Sequence, residues 1–332
     1  LKFSLHYTLQ SKNSWNSAYQ EFLKESILAE ELGFYGIYVG EHHFAADGWC
    51  PSPIPVLAAA AAVTKQMKLG TDIIVLTLHN PIKVAEDIAV LDNISNGRSI
   101  LGIGLGYRKE EYAAFSVDFK KKKEIYDDKI KVVKSLLQGE VIKINEFNIR
   151  IYPLPTQKPR PPIWLAAKSD EAIKAVLRRG DAWIMDPVTP IHLLEKKVRL
   201  FRETAHMLKK HVIDFPLRRE CFVSKDKEEL KKATESILRS YEEDYYKWGH
   251  LMTKEGMPID PSRVPFNDIK DQLLDEMLIG TPSEVIEKIQ VYKKLLGITE
   301  LLLKIMFPGI THEMRKNSMR TISFEIMPYF KD

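Results

Sequence analysis

The chain has 332 residues, 45% of them hydrophobic and 28% charged, with a formal net charge of +4. That composition buries a core and stays soluble, and the length fits one large α/β domain or two smaller ones. Lysines and glutamates are mixed along the helical stretches, a solvated-face pattern that argues against nucleic-acid binding.

Strand-like and helix-like segments alternate from the start. Lys2 to Tyr7 reads as a first strand. A helix with Tyr19, Phe22, Leu23 and Ile27 on one face follows and stops at Gly33. Gly36 to Gly40 is a short apolar run, read as a buried parallel strand leading into Glu41-His42-His43. Next come an alanine-rich helix, Pro55 to Thr64, and a third strand, Leu69 to Leu76. The helix Pro81 to Ser95 carries Val84, Ile88 and Leu91 on one face and stops at the turn signal Asn96-Gly97. Ser99 to Leu105 is a fourth strand, followed by a long helix from about Lys123 to Gln138. The Lys120 to Lys123 run reads as a solvated loop or helix start.

The alternation is then interrupted. Val141 to Tyr152 has a hairpin pattern, and Thr156 to Pro162 is a proline-rich connector. Alternation resumes with strand Ile163 to Ala166, helix Asp170 to Arg179 and strand Ala182 to Met185. A helix from about Pro190 to Lys210, strand Leu217 to Val223 and a helix from Asp226 to about Trp248 follow. Thr253 to Gln272 is proline-rich and aperiodic, and loops of that length are usually functional or mobile. Thr281-Pro282-Ser283-Glu284 is a strong helix start, and that helix ends at Gly297. Glu300 to Met306 is an eighth strand and Thr311 to Tyr329 a closing helix. The expected fold is α/β, a (β/α)8 TIM barrel forming a single domain over 1–332. Its insertions are a hairpin and connector at 141–162, after the fourth unit, and a lid at 253–272, between strands seven and eight.

Two cysteines, Cys50 and Cys221, lie too far apart in sequence to suggest a disulfide framework or a zinc site, so a reducing cytoplasm is expected. The longest apolar run, Ile54 to Val63, is too short to span a bilayer. No basic-then-apolar signal segment opens the chain.

Glu41-His42-His43 carries the sharpest chemistry, because the carboxyl ends of barrel strands hold catalytic residues. Neighbouring strand residues point to opposite faces, so His42 and His43 do not share one metal ion in a regular strand. No third ligand follows at metal spacing, and no metal is expected. One histidine facing the mouth suits proton transfer near neutrality. Gly102, Gly104 and Gly106 end strand four and let a flat ligand or a phosphate approach the backbone, or simply make a tight turn. Lys168-Ser169 opens a helix, where free amide hydrogens and the dipole favour a phosphate; it is equally an ordinary N-cap. Asp72 lies inside an apolar strand, which requires polar company or a polar cavity.

These pieces resemble the bacterial-luciferase-like, flavin-dependent monooxygenases. The strongest stretch runs from His79-Asn80-Pro81 to Asp92 and on through Ser95-Asn96-Gly97-Arg98, Gly102 to Gly106, Glu110, Glu111, Tyr112 and Phe115. Glu41-His42-His43-Phe44, Pro162-Ile163-Trp164, Gly280-Thr281-Pro282 and Met327-Pro328-Tyr329 match as well. The resemblance implies a barrel, usually dimeric, with flavin bound at its carboxyl end. It further implies reduced FMN delivered by a separate flavin reductase, and dioxygen used to oxidise an aldehyde, ketone, sulfonate or similar substrate. By position His42 matches the catalytic histidine. Asp72, Gly104, Leu105, Gly106, Tyr107, Lys168 and Ser169 match the cofactor site, with Lys168-Ser169 at the flavin phosphate. Asp72-Ile73 matches the place of a non-prolyl cis peptide, and 253–272 the mobile lid.

The chain departs from luciferase in having Leu105 in place of a phosphate-contacting arginine and Asp72 in place of an alanine. Lys168 or Arg108 could restore the positive charge. The substrate pocket is expected from His6, Tyr7, Trp49, Arg108, Trp183 and the lid, suiting a mostly apolar small molecule. The same fold also hosts deazaflavin-dependent hydride-transfer enzymes and non-catalytic flavin-binding barrels. The expected homodimer would be formed through the helices Pro55 to Thr64 and Pro81 to Ser95.

Overall fold

The computed structural model describes residues 1–12 and 14–331. Its centre is a curled parallel sheet: β1 (Lys2–Tyr7), β2 (Gly36–Val39), β3 (Lys68–Thr71), β4 (Ser99–Gly104), β5 (Ile163–Ala166), β6 (Ala182–Ile184), β7 (Pro216–Val223) and β8 (Glu300–Lys304). Parallel ladders join β1 to β2, β2 to β3, β3 to β4, β4 to β5 and β5 to β6. On the other side β1 pairs with β8, and β8 with β7. The flanking strands β6 and β7 meet at one parallel bridge, Met185 to Leu217.

Helices pack outside. They are α1 (Trp15–Glu31), α2 (Pro53–Val63), α3 (Pro81–Ile94), α4 (Lys109–Ala114), α5 (Lys122–Leu137), α6 (Asp170–Arg179), α7 (Ile191–Met207), α8 (Lys227–Tyr241), α9 (Lys270–Glu276), α10 (Pro282–Leu296) and α11 (His312–Thr321). Among the described residues no helix is long and apolar enough to cross a membrane. Local chemistry sets several ends. Asn80 caps α3 by accepting from the Ile82 and Lys83 amides, with Pro81 behind it. Thr281 and Glu284 form a capping box on α10, which ends at Gly297 with φ of 61°.

Three details differ from the sequence expectation. The third strand, read as continuous from Leu69 to Leu76, breaks at Asp72–Ile73, the cis peptide that the resemblance implied, and resumes as Ile74–Val75 beside β4. The helix expected to reach Trp248 stops at Tyr241 and widens into a looser turn over Glu242–Tyr246. An additional strand, Leu278–Gly280, pairs with the end of β7 just before α10. The hairpin falls where the alternation placed it, with Ile142–Ile144 against Phe147–Ile149.

The two faces of each strand do different work. Phe3, Leu5 and Tyr7 point out to the helices, and Tyr7 meets Phe22 of α1 edge-on at 5.0 Å between ring centres. The inward face near the amino ends holds Tyr38, Ile100, Trp164, Ala182 and Leu302. Tyr38 stacks on Trp164 at 5.5 Å and fits because position 70 is glycine; a Cβ there would lie 2.3 Å from the Tyr38 ring. Beside them Glu300 is fully buried and accepts a 2.6 Å hydrogen bond from Ser4.

Burial pushes the Glu300 carboxyl up to about 7, against the opposing pull of Ser4 and Tyr38. The folded state therefore holds this proton more tightly than the unfolded chain. That contribution is complete below the unfolded carboxyl value of 4.5 and is lost as pH rises through about 7. Glu300→Gln removes the loss. It should stabilise the protein at about pH 8 by on the order of 1–3 kcal/mol, with no gain at about pH 4. Thermal melts of both proteins at the two pH values check this. Parallel shifts at both would show that Glu300 titrates normally.

Candidate active site

The carboxyl ends of the strands surround a cavity of about 560 Å³, within the size range of cofactor pockets. Its apolar wall is Ile73, Val75, Leu165 and Ile184, with Gly104, Leu105, Gly106 and Tyr107 along one side. His42, Trp49, Tyr245 and His250 enclose one end. Lys122, Lys123, Arg179 and Ser169 at the start of α6 also line it.

His42 is held from both ring nitrogens. Nδ1 lies 3.0 Å from Glu111 Oε1, and Nε2 lies 3.1 Å from the Tyr107 hydroxyl. An ionised Glu111 accepts only, so Nδ1 carries the hydrogen and Nε2 is the open acceptor on which Tyr107 donates. Trp49 and Trp248 pack on the ring at 4.7 and 5.0 Å. This apolar burial lowers the imidazole pKa, opposed by Glu111. Glu111 is itself held below the usual carboxylate range: burial alone would raise it, but His42, the His43 amide and Arg108 outweigh that. The pair presents a neutral, oriented base at the cavity wall. His43 faces away, with Nε2 2.8 Å from Glu41, which also receives His79 Nε2 at 2.6 Å and the Val75 amide at 2.6 Å.

Several expected lining residues lie elsewhere, mostly because strand residues alternate. His6 is fully buried beneath the cavity, its Nε2 donating to the Asp72 carbonyl at 2.9 Å. Since His6 points inward, Tyr7 points out to α1. Trp183 lies between inward-facing Ala182 and Ile184 and packs outward on Phe201, its indole donating to the Ala167 carbonyl at 2.9 Å. Arg108 stands one layer behind, 4.2 Å over the Trp248 ring and bonded to Glu110 and Glu111. It lines a separate outer groove. Thr253 to Gln272 contribute nothing to the lining; Tyr245 and His250 cover that end, with His250 stacked on Tyr107 at 4.0 Å. The 253–272 segment braces them from behind, Pro261 and Val264 accepting from the Tyr246 hydroxyl.

Lys168 and Ser169 do lie at the cavity, but with different duties. The Lys168 ammonium turns to Asp186 at 3.5 Å and the His250 carbonyl at 3.3 Å. Ser169 caps α6 by accepting from the Ala172 amide. Arg179 pairs with Asp127 at 2.6 Å. Among the described residues, neither Lys122 nor Lys123 is paired with a carboxylate. The open positive charge thus comes from the lysine run read as a solvated helix start. The strand-four glycines Gly104 and Gly106 line the cavity and have a packing role besides. A Cβ at Gly104 would lie 2.7 Å from Ile73 Cδ1, and one at Gly106, where φ is +81°, 2.4 Å from Val75 Cγ1. They make room for the residues after the broken third strand.

The cavity floor is charged. Asp72 and Arg218 line it, with Glu220 4.0 Å from Arg218. Burial pushes the Asp72 carboxyl up to about 6, with Arg218 pulling the other way. Arg218 and His250 were not singled out from sequence, and Glu111, Lys122 and Trp248 were named there only as part of a matching stretch, a solvated lysine run and a helix end. Glu111 sits in a motif-rich stretch; the others carry no local signal.

An oriented histidine and an apolar wall lie in a cavity at the carboxyl edge of a curled parallel sheet, where α/β enzymes carry their active sites. The sequence profile of the luciferase-like monooxygenases matches residues 3–299, and the chain belongs to that family. It is 26% identical over 355 aligned positions to the oxygenase component of the flavin-dependent trigonelline monooxygenase of Acinetobacter baylyi, spanning 100% of this chain and 96% of that protein. Its fold is similar to that of monooxygenase RslO1 from Streptomyces bottropensis, with a TM-score of 0.87, 24% identity and both chains fully covered. It is also similar to an F420-dependent secondary alcohol dehydrogenase, with a TM-score of 0.77 and 18% identity over 100% of this chain and 99% of that one.

Proposed function

We propose that the chain is a complete (β/α)8 barrel that binds reduced FMN and uses dioxygen to oxidise a small organic substrate. The observation that carries this reading is His42, oriented by Glu111 and opening its Nε2 beside Tyr107 at the cavity wall. The Met185–Leu217 bridge supports barrel closure. The residues present fit the cofactor. Ile73, Val75, Leu165 and Ile184 offer a flat apolar bed, and the α6 amino end with Lys122 and Lys123 offers an anion site. The bound reduced flavin supplies the electrons that activate dioxygen. His42 takes or returns a proton at Nε2, and Glu111 fixes the tautomer. Trp49, Tyr107, Tyr245 and His250 keep water from that end. The relative's standing as an oxygenase component supports a separate flavin reductase as electron source.

His42→Ala should depress turnover by about 100-fold while leaving cofactor affinity nearly unchanged. Steady-state rates and a binding titration test this together; wild-type turnover in the variant would remove the acid–base role. Lys122→Ala with Lys123→Ala should weaken reduced-FMN binding by roughly 10- to 100-fold, the loss of a charge-assisted contact of about 1.5–3 kcal/mol. Lys168→Ala should matter less, because Asp186 already neutralises it. An anaerobic titration that ranked the variants in the opposite order would restore Lys168 as the phosphate ligand.

A second reading is hydride transfer from a deazaflavin, which the resemblance in fold to the F420-dependent dehydrogenase favours. Lys122, Lys123 and Arg179 extend outward between α5 and α6, where a longer anionic tail could lie. Anaerobic titration with reduced FMN and with reduced deazaflavin, followed by oxygen uptake, separates the two.

A two-fold dimer through α2 and α3 completes the reading. Val63, Val90 and Ile94 on these helices are exposed, at 39%, 42% and 51%. Ala60 is fully buried and belongs to the core, so a charge there would test folding instead. Val90→Lys with Ile94→Lys should shift the protein to monomer in sedimentation at micromolar concentration. A monomeric parent would rule the interface out.

A further inference from the structure

A second polar cluster lies beside the His42 site and takes no part in the reading above. Glu41 and His43 follow β2, and His79 comes from the segment before α3. Their ligand atoms all lie within 4.8 Å of one another. Both imidazoles aim Nε2 at one carboxylate oxygen, Glu41 Oε1, at 2.8 and 2.6 Å. The other oxygen, Oε2, is fixed by the Val75 amide at 2.6 Å. The His79 segment is fixed too: Lys129 donates to the Thr77 and His79 carbonyls at 2.6 and 2.7 Å.

Glu41 is compensated by hydrogen-bond donors, two of them imidazoles, and not by a permanently charged side chain. Its side chain is fully buried, yet among the described residues its ion-pair partners are the two histidines alone, with no lysine or arginine. A buried carboxylate is costly unless a cation or several donors compensate it. A second three-ligand cluster among the described residues shows the usual solution. Glu21, Glu25 and His312 converge in the same way, but Arg315 fills that site, reaching Glu25 at 2.8 Å and Glu21 at 2.7 Å. At Glu41 no guanidinium occupies the corresponding place.

We propose that Glu41, His43 and His79 form a binding site for a divalent transition-metal ion. Two imidazoles and a carboxylate suit Zn²⁺, Co²⁺, Ni²⁺ or Cu²⁺ over the hard cations, which prefer oxygen ligands. Tetrahedral ligation at about 2.0–2.2 Å separates ligand atoms by roughly 3.3–3.6 Å, so each imidazole withdraws by about an ångström or less. The His79 side chain is 31% exposed, leaving solvent an approach for entry of the ion and for a water as fourth ligand. Bound there, the ion ties the loop after β2, which carries His42, to the start of α3. The site does not rest on the flavin reading, since none of its ligands touches the anion end of the cavity.

The test uses tag-free full-length protein stripped with chelator. Co²⁺ is added while visible absorption is followed, and Zn²⁺ binding is measured by calorimetry. One equivalent should bind at micromolar or tighter affinity, giving the intense visible bands of tetrahedral Co²⁺. His79→Ala, a change at a partly exposed position, should fold normally by circular dichroism and lose at least about 100-fold in affinity. Glu41→Gln should do the same if it folds. Absence of saturable binding to the parent would overturn the proposal and leave a hydrogen-bonded histidine–carboxylate cluster. So would undiminished binding in His79→Ala. Neither result bears on flavin affinity, measured separately.

Discussion

One carboxylate oxygen organises the mouth of this barrel-like sheet. Glu111 Oε1 accepts from His42 Nδ1 at 3.0 Å, the His43 amide at 3.0 Å and Arg108 Nη1 at 3.1 Å. Those donors come from the loop after β2 and the loop before α4, so one buried acceptor ties two loops that share no strand pairing at that point. Arg108, held there, lies over Trp248, which in turn packs on His42. The arrangement works because each donor compensates the same buried charge. Without that oxygen the His42 ring would lose both its tautomer and its orientation, and the Arg108 guanidinium would be left buried with a poorer partner.

The second constraint is the break in strand three. The ladder breaks between Thr71 and Ile74, and Asp72, Ile73 and Val75 all reach the cavity, whereas a regular strand would turn the consecutive residues Asp72 and Ile73 to opposite faces. The space Ile73 and Val75 enter exists because positions 104 and 106 on the neighbouring strand are glycine. The flat apolar bed is therefore made jointly by two strands. Glycines that invite a ligand-binding reading act first as packing partners. Any ligand benefit follows from where Ile73 and Val75 then sit.

Much of the architecture was legible because period-two and helical patterns are local. Ile163–Ala166 and Asp170–Arg179 fall where the pattern put them, and the α10 capping box was visible in four letters. What was not legible depends on which way a side chain turns or on contacts distant in sequence. Lys168 sits at the expected helix start, yet Asp186 and His250, far along the chain, draw its charge inward. Tyr7 and Trp183 sit on the right strands but the wrong faces, since one inward neighbour forces each of them out. Lys122 and Lys123 looked like surface charge because nothing local reveals that α5 packs its start beside α6. His79 is distant from Glu41 in sequence, so no spacing rule could have joined them.

The distribution of compensated and open charge then bears on the proposed cofactor reading. At the cavity floor, Arg218 stands 4.0 Å from Glu220, and burial leaves the Asp72 carboxyl raised to about 6. Along the wall, Lys168 pairs with Asp186 at 3.5 Å. Charges paired in this way set local potential but offer little to a ligand, because a newcomer must displace a partner already in place. Among the described residues Lys122 and Lys123 have no such carboxylate partner, Lys122 lying over the Phe119 ring, and both line the same cavity as His42. Under the proposed reading, an anionic tail would find its open cations at Lys122 and Lys123, and a planar head would lie on the apolar bed, within reach of the imidazole that Glu111 holds still.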